Sequence, residues 1–498
     1  MAPPPLSLSL HCRKPVMLVS LSELSLKLLL ILVFFNTFGL SQNLVEYLPG
    51  FPGKLPFKLE TGYIGVGENE EVQLFYYFVE SQSSPEDDPL MLWHTGGPGC
   101  NCLSGIADNI GPLIVDFANS NGSLPTLMLN KYAWTKVVNI IFIDQPVGAG
   151  FSYAKTSKAY YSSDTLAAAL NYEFLRKWLI NHPTYIENPL YIGGESYSGI
   201  IVPLVVNEVY NGIEARNKPL LNMKGYVLGH PLTDRYIDNN GRIPYCHRMG
   251  LLSDRLYQSA KENCRGNYIN IDSKNVLCLS DLERINQCLA KINMDQILEP
   301  WCKPSWKAKR DVLSWKNPSH DRENPTNYLQ SIVAPLTKCR FALYIHFHRW
   351  ANKKSVQKAL HIREGTITEW VRCNLTIRDG TSGPDGTMPY IQNVQSTVNH
   401  HQDFIRKSCR ALISSGDHDM IIPHTSTEKW IESLRLPILS DWRPWFVDSQ
   451  IAGYATTYRH GDYELTYATV KGAGHIAPRY LPKECLAMIS RWFEQSSL

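Results

Sequence analysis

From about residue 45 onward, short runs of consecutive apolar residues alternate with segments whose apolar positions recur every three or four residues. The runs Val72-Gln-Leu-Phe-Tyr-Tyr-Phe-Val79, Leu90-Met-Leu-Trp93, Val137-Val-Asn-Ile-Ile-Phe-Ile143 and Leu190-Tyr-Ile192 are near-continuously apolar, as strands buried on both faces are. Residues 163–179 and 200–210 carry the helical period instead. Gly225-Tyr-Val-Leu228, Arg410-Ala-Leu-Ile-Ser414 and Leu465-Thr-Tyr-Ala-Thr-Val470 supply further buried strands. This alternation predicts an α/β fold with a mostly parallel central sheet, because parallel neighbours are joined by crossover helices that cover both faces. Between 235 and 345 the pattern changes to polar helices and cysteine-bearing loops, which we read as a cap inserted into the sheet domain. The core is thus expected in two parts, 42–234 and 346–498, with an exposed loop near 303–326 open to proteolytic nicking.

The N-terminus adds a compartment. Leu28-Leu-Leu-Ile-Leu-Val-Phe-Phe35, preceded by Arg13, Lys14 and Lys27 and followed by Gly39 and Ser41, is too short to span a bilayer. Residues 1–41 fit a cleaved signal peptide better than an anchor, so no stable membrane anchor is expected; initiation at Met17 would give a signal of more ordinary length. The expected destination is the secretory pathway, ending in the vacuole or outside the cell. Twelve cysteines in an exported chain read as disulfides before metal ligands. Asn121-Gly-Ser and Asn374-Leu-Thr are glycosylation sequons, whereas proline blocks those at Asn317 and Asn324. A balance of 49 Lys+Arg against 46 Asp+Glu, with no basic stripe, excludes a polyanion as the obvious partner, so no nucleic-acid binding is expected.

The candidate chemistry is nucleophilic. Tyr191-Ile-Gly-Gly-Glu-Ser-Tyr-Ser-Gly199 stands directly between a predicted strand and a predicted helix, the context of a nucleophile elbow with Ser196 at its tip. Gly194 and the small Ser198 give the clearance that a sharp turn needs. A serine needs a base oriented by a carboxylate, and both follow in order: Asp419 in Ser415-Gly-Asp-His-Asp419 and His475 in Lys471-Gly-Ala-Gly-His475, each just after a predicted strand. Asp417 competes with Asp419 for the acid role. Glycines flanking His475 suit close approach of another chain segment. Two N–H donors are needed for a tetrahedral oxyanion; Tyr197 supplies one and Gly97, in Thr95-Gly-Gly-Pro-Gly-Cys100, the other. That loop lacks the lysine and spacing of a phosphate-binding loop. His346-Phe-His348 and His400-His401 lack metal-ligand spacing, so neither a metal nor another cofactor is expected. Trp442-Arg-Pro-Trp445 is read as a packed corner.

These segments, in order from about residue 42 to 492, resemble the serine carboxypeptidase-like family and, within it, the plant acyltransferase branch. The resemblance rests also on Leu59-Glu-Thr-Gly-Tyr-Ile-Gly-Val66, Phe142-Ile-Asp-Gln-Pro-Val-Gly148, Gly225-Tyr-Val-Leu-Gly229, Arg242-Ile-Pro244, Glu369-Trp-Val-Arg-Cys-Asn374 and Asp441-Trp-Arg-Pro-Trp-Phe-Val-Asp448. It implies an α/β-hydrolase core with a helical, disulfide-bearing cap, a triad of Ser196, Asp419 and His475, and an oxyanion hole at Gly97 and Tyr197. It also implies pairing of Cys100 with Cys373 and of Cys264 with Cys278, leaving Cys288, Cys302 and Cys339 open.

Peptidases of this family resemble one another in holding the substrate carboxylate with an asparagine before the Gly-Gly pair, the elbow glutamate, and a second glutamate before a Gly-Pro. Here those positions are Thr95 (beside Gly96), Glu195 and Asn109, so one of three is kept. The resemblance therefore implies a small-molecule acyl-glucose donor and a hydroxyl or amine acceptor. A carboxypeptidase or esterase, and a non-catalytic binding protein, are the alternatives. Residues His94, Asn101, Cys102, Asn109, His230 and Cys246 depart from the branch's pattern. Oligomeric state is left open.

Overall fold

The computed structural model describes Met1 and residues 43–116, 124–301, 347–380 and 390–498. Residues 2–41 of the expected signal peptide, the 303–326 loop, Asn121, Cys302, Cys339 and His346 lie outside the described residues.

The predicted apolar runs form β2 (Val72–Val79), β3 (Leu90–His94), β4 (Asn139–Ile143), β5 (Leu190–Glu195), β6 (Met223–Gly229), β7 (Arg410–Gly416) and β10 (Tyr463–Val470), and the segment Leu59–Val66, not among those runs, adds the strand β1. A hairpin of β8 (Ile438–Val447) and β9 (Gln450–His460) completes the long strands. Their order across the sheet is β1-β2-β4-β3-β5-β6-β7-β10-β9-β8. The six middle strands, β4 to β10, are parallel. Both flanks are antiparallel. The α/β-hydrolase arrangement follows, with the middle strands pointing their C-terminal ends to one edge, where ligand sites of such sheets lie.

Alternation along each middle strand divides the core into two layers. Leu90 and Leu92 of β3 join Ile192, Leu228 and Ile413 on one face, under α1 (Asp164–Asn181) and α2 (Ser198–Glu214). Met91 and Trp93 join Val227 and Leu412 on the other, under the C-terminal α9 (Pro482–Phe493) with Met488, Ile489 and Trp492. Helix α1 starts where Ser163 accepts the Leu166 N–H, an N-cap, and ends before Pro183, which cannot continue a helix.

Within the expected cap, residues 235–301 form α3 (Arg235–Asn240), α4 (Arg242–Arg248), α5 (Asp254–Asn263) and α6 (Val276–Leu289). They enclose a small cluster, including Tyr245, Leu252, Leu256 and Ile285, that also takes in Met420 of the core. A disulfide joins Cys264 to Cys278 across α5 and α6. On the core face opposite α9 lie α7 (Val398–Arg406) and α8 (His424–Ser433). Asn43–Leu498 hold together as one compact unit.

Two local expectations change. Residues 137 and 138 precede the strand, because a single helical turn at Trp134–Lys136 occupies the approach. Trp442-Arg-Pro-Trp445 is no corner: it lies in the edge strand β8, where Pro444 costs no ladder bond a central strand would need. Trp445 is buried, while Trp442 is exposed and stacks on Tyr454 at 5.4 Å and 2°.

Candidate active site

Ser196 sits between the end of β5 and the start of α2 with φ 59°, a left-handed conformation that costs a side-chain-bearing residue of order 1–3 kcal/mol. Its neighbours hold it there. The Ser196 N–H donates to Gly229 O at 3.0 Å, and its carbonyl accepts from Gly199 and Leu232 N–H, both at 2.9 Å. Small residues make the turn possible: a methyl on Gly194 would lie 2.6 Å from Ser198 Cβ, and one on Gly199 2.4 Å from Leu232 O. The turn thereby lifts Ser196 to partial exposure between buried neighbours.

His475, after β10, and Asp419, after β7, converge on it. Asp419 is fully buried, and its Oδ2 lies 2.8 Å from His475 Nδ1. Its Oδ1 accepts Ile421 N–H at 2.7 Å and Ile422 N–H at 3.3 Å. A carboxylate at Nδ1 keeps the imidazole proton there and leaves Nε2 as the acceptor, 2.8 Å from Ser196 Oγ. Burial pushes the Asp419 carboxyl up, outweighing the lowering by His475 and the two N–H donors. Burial works to lower His475, yet the charge of Asp419 and its hydrogen bond, helped by Asp295 and Glu195, raise it overall. Asp417 makes no contact with His475; its Oδ1 accepts Gly472 N–H at 2.6 Å and lies 2.9 Å from His418 Nδ1. Of the two aspartates, Asp419 is the one placed within hydrogen-bond distance of His475.

The loop after β3 closes the other side. A Cβ on Gly96 would stand 2.7 Å from Tyr197 N and 2.8 Å from Ser196 Cβ, so only glycine leaves that cradle open. Among the described residues, no acceptor takes the N–H of Gly97 or of Tyr197. Tyr197 is anchored by its hydroxyl, which donates to buried Asp164 at 2.8 Å and accepts from Arg235 at 2.9 Å. Tyr390 donates to the same Asp164 oxygen. This anchorage was invisible in the sequence, since its members lie 33 to 226 residues apart.

Beside the elbow, buried Glu195 accepts a hydrogen bond from Asn109 Nδ2 at 2.8 Å. Burial raises the Glu195 carboxyl above the ordinary carboxylate range, partly offset by Asn109 and by the charges of Arg479, His475 and Arg372. Arg479 is itself ion-paired with Asp108 at 2.5 Å. Asn109 Oδ1 is buried without a hydrogen-bond partner among the described residues. Thr95 Oγ1 turns to the thiol of Cys102 at 3.2 Å. Cys102 is an unbridged, buried thiol that burial pushes well above its ordinary range.

A disulfide from Cys100 to Cys373 ties the oxyanion-side loop to the segment 371–374. Cys288 is exposed and unbridged among the described residues. Asn374 is partly buried and caps a helical turn; its Nδ2 donates to Gly148 O at 3.0 Å, a bond that a glycan on that nitrogen would have to replace. The doubtful histidines are structural: His401 Nδ1 lies 2.7 Å from the Tyr226 hydroxyl, and His348 pairs with Glu369. No group of three or more metal-ligating side chains occurs among the described residues. His230 is a residue the pattern only flagged. It is buried, with its ring 4.4 Å from that of His475, and burial together with the charge of His475 holds it well below the usual histidine value.

A nucleophile, a base aligned by a carboxylate, and two unengaged N–H groups close to one another suit acyl transfer to an alcohol, an amine or water. A family model described as serine carboxypeptidase matches residues 49–495. Serine carboxypeptidase-like 10 of Arabidopsis thaliana is 44% identical over 477 residues, covering 96% of this chain and 100% of the relative. Serine carboxypeptidase-like 17 of the same plant is 43% identical over 458 residues, covering 92% and 94%. A prohormone-processing carboxypeptidase from Saccharomyces cerevisiae shares the fold, with a TM-score of 0.66 at 18% identity over 88% of this chain and 91% of that one. With matches of this extent over nearly the whole chain, the chain belongs to the serine carboxypeptidase family.

Proposed function

We propose that this chain is an acyltransferase that moves an acyl group from a 1-O-acyl-glucose to an acceptor hydroxyl or amine. The observation that carries this reading is the hydrogen-bonding character of the polar side chains beside the elbow. A substrate carboxylate needs donors. Here the Asn109 amide N–H is spent on Glu195 and the Thr95 hydroxyl faces Cys102, while Asn109 Oδ1 is left as an acceptor without a partner among the described residues. A buried carboxylate left without its donors costs about 1–3 kcal/mol per missing bond, or roughly ten- to hundredfold in binding. The hydroxyls of a sugar can donate to such acceptors.

In the first half-reaction His475 Nε2 takes the proton of Ser196 as Oγ attacks the ester carbonyl. The oxyanion is received by the N–H groups of Gly97 and Tyr197. Collapse breaks the bond to the sugar, whose oxygen takes the proton from His475, and a seryl ester remains. In the second, His475 removes a proton from the acceptor as it attacks that ester, then returns the proton to Ser196. Asp419 holds the imidazole tautomer throughout. Glu195, Asn109, Thr95 and Gly96 shape the donor subsite. Two disulfides support passage through the secretory pathway, to the vacuole or the cell exterior. Among the described residues no helix is long and apolar enough to cross a membrane.

The test incubates secreted protein, beside Ser196→Ala, with acyl-glucoses plus acceptors and separately with a blocked dipeptide. New acyl esters or amides absent from the control support transfer. Peptide cleavage without transfer would return the chain to the carboxypeptidases.

A further inference from the structure

Asp419 and His475 are 56 residues apart on separate loops, and a short piece of the cap, 294–297, bonds to both. On the acid loop, Met420 N–H donates to Met294 O at 3.0 Å, and His418 O accepts from Ile297 N–H at 3.2 Å. On the histidine loop, His475 N–H donates to Asp295 O at 2.6 Å, and Gly472 O accepts from Gln296 Nε2 at 2.9 Å. Four successive residues therefore strap the two loops together. The fit is close. A methyl on Gly474 would stand 2.2 Å from Asp295 O and 2.8 Å from Gln296 Cβ, while one on Gly416 would stand 2.3 Å from Gly474 O. Glycine is needed at both places because three chain segments meet there.

Three of the four bonds are made by backbone alone. Gln296 makes the fourth with its side chain, which is buried and is itself oriented by Leu298 N–H donating to its Oε1 at 3.2 Å.

We propose that Gln296 is a positioning residue: from the cap, it holds the Gly472 carbonyl and with it the loop that aims His475 at Ser196. The proposal rests on the triad reading above. Without the Gln296 amide, the part-buried Gly472 O loses this partner, and the loop is free to shift toward a new one. Acyl transfer depends on the Nε2 to Oγ alignment, and a misplacement on the order of 1 Å costs up to about 10²-fold.

The test uses the full secreted chain and a fluorophosphonate, which reports attack by Ser196 without requiring the acyl donor to be known. Gln296→Met keeps the volume and removes the donor. It should titrate to one label per molecule and melt close to the parent. Its maximal labelling rate should fall about tenfold, with the concentration for half-maximal rate unchanged. Should Gln296→Met fail to fold, Gln296→Glu serves, because it keeps the acceptor for Leu298 N–H and turns an oxygen toward Gly472 O; it should be slowed at least as much. Labelling at the parental rate per titratable site in the folded variant would overturn the proposal. If the parent labels no faster than Ser196→Ala, the triad reading itself fails, an outcome distinct from a parent that labels and a Gln296 variant that labels equally well.

Discussion

Asp419→Asn separates the chemistry from the fold. The substitution keeps shape and keeps Oδ1 as acceptor for Ile421 and Ile422 N–H. It replaces Oδ2, 2.8 Å from His475 Nδ1, with an amide donor. Nδ1 must then accept, the ring proton moves to Nε2, and Nε2 meets Ser196 Oγ as a donor that cannot take its proton. A base held in the wrong tautomer loses about 10⁴-fold, or about 5 kcal/mol at 1.36 kcal/mol per decade. Stability should behave differently. Burial already holds the Asp419 carboxyl above its ordinary range, so the charge is a burden to the fold at neutral pH, where the group is ionised in the unfolded chain. A neutral amide removes that burden while losing the attraction to His475, and the melting temperature should move by only a few degrees. Fluorophosphonate labelling rates and thermal melts on the same samples measure both. A loss of less than tenfold with an unchanged melt would refute the argument that Asp419 sets the tautomer.

Three further outcomes follow from the same geometry. Gly96→Ala places a methyl 2.7 Å from Tyr197 N, so it should block that donor and slow labelling by about 10²–10³-fold while the protein still folds; near-parental labelling would exclude Tyr197 N–H from the oxyanion site. Asp295→Asn removes one of three carboxylates that face His475, the others being Asp419 and Glu195, with the uncharged His230 ring on the remaining side. The imidazolium loses support, His475 becomes neutral at lower pH, and the acid limb of the labelling-rate profile should move to lower pH; a move to higher pH would contradict the assignment. His94 is fully buried, with neither ring nitrogen partnered among the described residues, and burial lowers it to about 3. Because its folded value lies below that of the unfolded chain, its contribution is present above about pH 6.5 and is lost as pH falls from there toward 3. By pH 5 that loss amounts to about 2 kcal/mol, so His94→Leu should flatten the fall of stability between neutral pH and pH 5 in chemical denaturation, and an unchanged slope would refute it.

Much of the molecule was legible because its signals are local. Buried parallel strands are apolar on both faces, so β2, β3, β4 and β5 announce themselves as short runs, and the helices as a change of period. The elbow is local too: Gly194, Ser198 and Gly199 surround Ser196 because the turn leaves no room for larger side chains. Even the order of serine, acid and histidine could be read, since each follows a strand that ends at the same edge. The edge hairpin β8–β9 was missed, because an exposed strand lacks the apolar run and its tryptophans suggested a corner instead.

What tertiary structure alone decided are the contacts between segments far apart in the chain. Asp417 and Asp419 are equivalent as residues two apart after one strand, and only the position of the histidine loop gives one to Gly472 and the other to His475. The glycines around His475 signalled that some segment comes close, but not that it is the cap piece 294–297, about 180 residues upstream of His475. Likewise Asp164 and Arg235 anchor Tyr197 from two other elements, and His230 packs on His475 from the loop after β6. Periodicity and turn chemistry reach only a few residues along the chain; alignment on the ångström scale depends on how whole loops lean on one another, and that is fixed when the segments pack.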